Sequence, residues 1–241
     1  MQPLFTLVAL LRSLLFTIAF YGGSLIIVPL VLVTGRLWPQ RLLFIGPKLW
    51  AGWFYLCARW IVGIRLVVDG DIPPGPQLFA LKHESAYEAI MTLWWFARPA
   101  VVMKAELKQI PIWGAASDRQ GSIWVDRDGS ATMLRAMMKA AQAAVKAGRP
   151  VVIFPEGTRV ARGTQPPLAA GFAGLYKMLK LPVVPIALDT GKVWPKAFIK
   201  YPGTVHMKVG APIAPGLDRD DIEARVRAAI NTLNGPAGDR M

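Results

Sequence analysis

Short apolar runs bounded by turn residues recur from Ile64 onward, and between them lie stretches whose apolar residues fall at helical spacing. Runs of the first kind read as strands and stretches of the second as helices, and their alternation predicts βαβ units around a largely parallel sheet. The runs place strands at 64–68, 78–82, 100–104, 122–126, 151–154, 183–188 and 205–209, and the periodic stretches place helices at 85–97, 130–147, 168–180 and 219–233. Upstream the pattern differs. Residues 13–35 carry no charge, 23 in a row, and about 20 apolar residues suffice for a helix to cross the hydrocarbon layer. Gly22-Gly23 and Pro29 offer places where that segment can break, and a second apolar stretch, Leu42 to Ile64, follows after only a few polar residues. A spanning helix and a helical hairpin lying in one leaflet both fit this pattern. The fold expected is therefore α/β, a mostly parallel sheet flanked by helices and preceded by an N-terminal membrane-associated helical segment. Its expected division is membrane-anchoring helices at 1–63, an α/β domain at 64–234 and a loose tail at 235–241.

Composition sharpens the first of these parts. Hydrophobic residues make up 54% and charged residues 18%, apolar for a soluble protein and too polar for a multi-span transporter. The formal net charge is +13, and no acidic residue precedes Asp69, whereas Arg12, Arg36, Arg41, Lys48, Arg59 and Arg65 all do. Arg41, Lys48 and Arg59 fall within about 20° of one line on a continuous helix. Trp38, Trp50, Trp53 and Trp60 crowd the same region, and Trp with basic residues on an apolar segment is the pattern of a membrane-interface anchor. Nucleic acid would also attract this charge, but the basic residues alternate with long apolar runs and no reader motif accompanies them. An anionic bilayer surface is the expected partner. Cys57 is the only cysteine and the chain has two histidines, which excludes a disulfide framework and leaves no ligand set for a metal.

Candidate chemistry gathers at two strand ends. Leu78-Phe79-Ala80-Leu81 is followed by Lys82-His83-Glu84-Ser85-Ala86-Tyr87-Glu88, with Ser85 placed to cap the next helix. His83 then lies at a strand-to-helix corner, where open α/β sheets keep their sites. Glu88 lies in the first turns of the helix, so its carboxylate can reach back to one imidazole nitrogen and leave the other free as a general base. Phe154-Pro155-Glu156-Gly157-Thr158-Arg159 follows the strand at 151–154 in the same way. Two polar corners in equivalent places suggest one site. No Gly-x-Ser-x-Gly elbow and no Gly-x4-Gly-Lys-Ser/Thr loop occurs in the chain, which argues against a serine hydrolase and a phosphate-loop ATPase. His206, in the alternating run Val205 to Val209, reads as structural.

A histidine followed five residues later by an acid, and some seventy residues on by Phe-Pro-Glu-Gly-Thr-Arg, resembles the glycerolipid acyltransferase family. Gly121 to Arg127 resembles that family's second block and Val183 to Ala187 its fourth, and Lys104-Ala105-Glu106-Leu107 also fits, so the resemblance covers about residues 60–210. The family usually has Asn before the histidine and Asp as the acid, whereas this chain has Lys82 and Glu88. The resemblance implies direct transfer of a fatty acyl group to the free hydroxyl of a 1-acylglycerol 3-phosphate, or of another lyso-lipid such as a lyso-ornithine lipid or lysophospholipid. It implies His83 as the base and Glu88 as its orienting acid. Arg159, Arg127 and Lys104 are the expected phosphate-binding cations, Arg because its planar guanidinium forms paired hydrogen bonds to phosphate oxygens. Glu156, Gly157 and Thr158 would bind the acceptor or shape the turn. No cofactor or metal is expected, only an acyl-CoA or acyl carrier protein thioester as co-substrate. The expected location is the bacterial inner membrane with the catalytic domain on the cytoplasmic face. The non-enzymatic alternative is a basic peripheral protein that binds anionic lipid without turning it over.

Overall fold

The computed structural model describes residues 2–34, 44–125 and 131–235. At its centre β2 (Leu78–Leu81), β5 (Val151–Ile153) and β6 (Val183–Leu188) are buried along their whole lengths. Unbroken apolar runs are what a parallel sheet covered on both faces requires. They lie in the order β6, β2, β5 and run parallel. On one side the sheet continues through β3 (Ala100–Lys104) and β4 (Ile123–Val125), again parallel. On the other side β7 (Gly203–Val209) runs antiparallel to β6, and β1 (Ile64–Asp69) pairs parallel to β7, giving the order β1-β7-β6-β2-β5-β3-β4. Pro185 is accommodated within β6 because Gly210 beside it has no side chain, and a Cβ there would come 2.9 Å from the proline ring.

The pleat divides the core in two. Phe79, Leu81, Val152, Val184 and Ile186 point to one face, where they meet α1 (Gln2–Thr34), α2 (Ile45–Cys57) and α3 (Ala86–Trp95). Leu78, Ala80, Val151, Ile153 and Val183 point to the other, against α5 (Ala131–Lys146), α6 (Ala170–Leu179) and α7 (Arg219–Ile230). The helix α4 (Trp113–Gln120) was not among the elements read from periodicity. Its Gly114, Ser117 and Asp118 leave no apolar stripe to read.

The N-terminal segment does not break where the sequence allows. α1 is continuous through Gly22-Gly23 and Pro29. Gly23 is instead a place of close approach, since a Cβ there would lie 2.2 Å from the Trp53 indole of α2. That indole donates to Ala19 O (3.2 Å), and Trp50 donates to Ser24 Oγ (2.9 Å), so two tryptophans fasten α2 along α1. Ala9, Ser13, Phe16 and Phe20, spaced by four, three and four residues, form the buried stripe that seats α1 on the sheet.

Candidate active site

The corner after β2 is built by its own helix start. Ser85 is the N-cap of α3, its Oγ accepting Tyr87 N–H (3.1 Å), and Glu88 is the third helical residue, reaching back in a capping box. A carboxylate in that position meets every donor the corner offers. Glu88 Oε1 accepts Glu84 N–H (2.7 Å) and Ser85 N–H (2.6 Å) and lies 2.9 Å from His83 Nδ1. Its Oε2 accepts the Ser85 hydroxyl and that of Thr190 (2.7 Å), which follows β6. Burial alone would raise the Glu88 carboxyl, but its contact with His83 and the Ser85 donors hold it below the usual carboxylate range. The carboxylate is therefore ionised and fixed, and it holds the His83 ring with Nδ1 inward. His83 Nε2 has no hydrogen-bond partner among the described residues. The ring also stacks on Phe154, with centroids 4.2 Å apart. A fixed imidazole with one free nitrogen is suited to accept a proton from a bound hydroxyl.

The second corner is tied to the first. Glu156, just after β5, accepts His83 N–H at Oε2 (3.0 Å) and pairs with Lys82 Nζ at Oε1 (2.7 Å). Both of its oxygens are thus engaged by the protein, which places Glu156 as a tie between corners. Lys82 is fully buried and donates also to Asn231 Oδ1 (2.8 Å) and Thr164 O (3.1 Å). Val160 N–H donates to His83 O (2.8 Å), and the Gly157 N–H donates to Phe154 O (2.9 Å) to close the turn. Gly157 has φ 69°, a conformation that glycine adopts without strain. Thr158 and Arg159 are exposed at the loop that follows.

The remaining predicted cations are less close. Lys104 ends β3, separated from β2 by β5, and its ammonium pairs with Glu106 (2.6 Å). Arg127 lies outside the described residues. His206 has an acid that the sequence reading did not assign to it: Asp189 Oδ2 lies 2.9 Å from its Nδ1, and the same oxygen pairs with Lys192 (2.6 Å). Asp189 Oδ1 accepts the His206 backbone N–H (2.7 Å), so the pair fastens β7 to the end of β6.

Glu84, beside the base, is the titrating group of this corner. Its Oε2 accepts Gly191 N–H (2.7 Å), while its buried Oε1 has no partner among the described residues. Burial, reinforced by the Glu88 charge against the Gly191 hydrogen bond, pushes the Glu84 carboxyl up from 4.5 to about 7. A carboxyl raised on folding stabilises the protein while protonated, so its contribution is lost as pH rises through the window from 4.5 to about 7. The expected slope is a loss of about 1.4 kcal/mol per pH unit within that window. Glu84→Gln stays neutral and is expected to lack it. Thermal unfolding of both proteins at about pH 5 and about pH 7.5 reads the difference, roughly 3 kcal/mol across the window. Parallel pH profiles would mean that Glu84 titrates as an ordinary carboxyl.

Three comparisons relate this chain to known proteins. A family model described as "Acyltransferase" matches residues 65–189. The 1-acyl-sn-glycerol-3-phosphate acyltransferase of Pseudomonas aeruginosa is 33% identical over 185 residues, covering 76% of this chain and 70% of that one. The mouse 1-acyl-sn-glycerol-3-phosphate acyltransferase alpha is 27% identical over 226 residues, covering 87% of this chain and 75% of its own. Among solved structures, the crystal structure of the 1-acyl-sn-glycerophosphate acyltransferase from Thermotoga maritima superposes with a TM-score of 0.67 at 21% identity, covering 95% of both chains. That likeness is one of fold.

Proposed function

We propose that this chain, which belongs to the acyltransferase family, moves a fatty acyl group from an acyl thioester to the free hydroxyl of a 1-acylglycerol 3-phosphate, giving phosphatidic acid. His83 Nε2 takes the hydroxyl proton as the oxygen attacks the thioester carbonyl. The tetrahedral intermediate then expels the thiolate, and the His83 imidazolium returns the proton to the leaving sulfur. Glu88 holds the proton-bearing Nδ1 and stabilises the imidazolium, without itself becoming protonated. The hydroxyl attacks directly, so no acyl-enzyme forms. The observation that carries this reading is the His83–Glu88 contact with Nε2 left free. The printed names of the relatives support the acceptor, and the exposed Arg159 on the loop tied to His83 O through Val160 supplies a cation for its phosphate. Both acyl-CoA and acyl carrier protein thioesters suit the chemistry as donors.

The same reading assigns attachment to the bilayer to residues 1–63 and the chemistry to 64–234. α1 leaves Leu11, Leu15, Ile18, Leu25 and Ile26 each more than half exposed, along a helix whose opposite stripe is docked on the domain. Since residues from Phe5, stacked on Tyr201, to Phe20 follow the domain surface, α1 lies along the protein, which favours the one-leaflet hairpin over a spanning helix. Active sites of this kind would then meet their lipid from the cytoplasmic face, where acyl thioesters are made.

The test is transfer of a labelled acyl group, from acyl-CoA and from acyl carrier protein, to lysophosphatidic acid in vesicles containing anionic lipid. The wild type is expected to sediment with the vesicles and make phosphatidic acid. Arg159→Ala is expected to raise the acceptor KM by about tenfold to a hundredfold, the loss of one charge-assisted contact, with kcat changed far less. A wild type that ignores lysophosphatidic acid but acylates a lyso-ornithine lipid would retain the chemistry and overturn the acceptor.

A further inference from the structure

Most of the groups gathered on the Glu88 carboxylate belong to its own corner: the Glu84 and Ser85 N–H groups, the Ser85 hydroxyl and the His83 ring. Thr190 does not. Its hydroxyl arrives from beyond β6, 102 residues away in the chain, and donates to Glu88 Oε2 at 2.7 Å. It also lies 3.0 Å from Ser85 Oγ, so one threonine meets both members of the capping box that starts α3.

Thr190 is fully buried, and the residues on either side of it are fastened. Before it, Asp189 accepts the His206 backbone N–H (2.7 Å) and pairs with Lys192 (2.6 Å). After it, Gly191 N–H donates to Glu84 Oε2 (2.7 Å), a close approach helped by the missing side chain, since a Cβ there would come 2.9 Å from that oxygen. Thr190 O accepts Trp194 N–H (2.8 Å), and the Trp194 ring packs against Phe54 (centroids 5.2 Å) and Tyr87 (5.8 Å), the residue before Glu88. Threonine is also stiff at its first side-chain torsion. The hydroxyl is therefore delivered from a frame separate from the corner it serves.

That separation gives it a task that the other donors cannot perform. The terminal torsion of a glutamate is soft, so the direction of its two oxygens is set by the donors they meet. Donors of residues 84 and 85 move with the corner, whereas the one from Thr190 is fixed to the end of the sheet. We propose that Thr190 is a positioning residue of the acyl transfer: by holding Glu88 Oε2 from the end of β6 it keeps Oε1 against His83 Nδ1, and so keeps Nε2 aimed at the acceptor's hydroxyl. The inference rests on the reading of His83 as the general base. Thr190 itself meets no substrate, being closed off from the surface. It lies just past the run Val183 to Ala187, and no local pattern in the sequence links it to Glu88.

The test has a kinetic arm and a spectroscopic one. Thr190→Val keeps the shape and removes the hydroxyl. It is expected to lower kcat for acylation of lysophosphatidic acid about tenfold to a hundredfold, the loss of one hydrogen bond to a charged group, with the KM of acceptor and donor unchanged. Thr190→Ser restores the hydroxyl and is expected to stay within about threefold of the wild-type kcat. The second arm follows exchange of the His83 Nδ1 proton with solvent by magnetic resonance in isotope-labelled protein, with His206→Asn to assign the two rings. That exchange is expected to be at least about tenfold faster in Thr190→Val than in the wild type or Thr190→Ser. Thr190→Ala serves for both arms if valine is not accommodated. An unchanged kcat in the variant lacking the hydroxyl would overturn the proposal. So would a loss carried by KM, or a serine variant as weak as the valine one, which would assign the effect to the methyl group. The two readings fail separately. Acylation by the wild type that survives in Thr190→Val sinks the role of Thr190 alone. A ring proton that depends on the Thr190 hydroxyl in a wild type that acylates no lyso-lipid keeps the positioning of His83 while the catalytic reading falls.

Discussion

His83→Ala is expected to lower kcat for acyl transfer by about 10²- to 10⁴-fold, the range that a positioned general base supplies, while the protein stays folded and bound to vesicles. The two halves of that expectation have separate causes. Nε2 is the only nitrogen of the ring left for a substrate proton, because Nδ1 is taken by Glu88. The fold survives because the deletion strands nothing: Glu88 keeps the Glu84 and Ser85 N–H donors on Oε1 and the Ser85 and Thr190 hydroxyls on Oε2. What is lost is the stacking on Phe154 at the edge of the core. The unfolding midpoint should therefore fall by no more than about 5 °C. Initial rates with lysophosphatidic acid and acyl-CoA, measured beside thermal unfolding and vesicle sedimentation, read all three quantities. Activity within tenfold of the wild type would mean that another group takes the proton. Vesicle binding without turnover in the wild type as well would favour a lipid-binding protein over an enzyme.

How much of this was legible in the sequence depended on how far apart the interacting residues are. The seven strands lie within a residue or two of the apolar runs that predicted them, and β2, β5 and β6 were the plainest because a strand buried on both faces must be apolar throughout its length. The direction of β7 was not legible. It is set by the Asp189–Pro202 segment, which packs against α1 and re-enters the sheet at the end where β6 leaves it, and no local pattern records that path. The His83–Glu88 pair could be read because His83 and the Glu84 and Ser85 donors all lie within five residues of the acid, whereas the Thr190 donor, 102 residues away, could not. The break that Gly22-Gly23 allows does not occur, and Gly23 has another reason to be there. A helix that must admit an indole needs glycine as much as a helix that must bend. Lys82 stood out in the sequence only as a departure from the family's usual Asn, and its partners on Glu156 and Asn231, 74 and 149 residues away, were out of reach of any pattern.

That distance makes Lys82 the position where substitution should harm stability most. Lys82→Met removes one ammonium and strands one buried acceptor, Glu156 Oε1, whereas Asn231 Oδ1 and Thr164 O each keep a donor from the Asn234 amide. The Glu156 carboxylate would then be a buried charge held only by the His83 N–H. Breaking one side of a buried ion pair costs about 3–5 kcal/mol, or about 10 °C in unfolding midpoint for a chain of this size. Lys82→Asn, which restores the residue usual in the family, should cost as much. The amide is neutral, and its side chain is too short to replace an ammonium that joins β2, the Glu156 corner and the end of α7. Activity should fall as well, since Glu156 is what fixes the backbone of His83. The decisive variant is the double one. Lys82→Met with Glu156→Gln removes the stranded charge together with its partner and is expected to recover about 1–3 kcal/mol relative to the two single losses added. Thermal unfolding of the wild type, both single variants and the double variant gives that coupling directly. A double variant no better than the sum, or a Lys82→Met protein less than about 1 kcal/mol weaker than the wild type, would mean that the pair does not hold the two corners together.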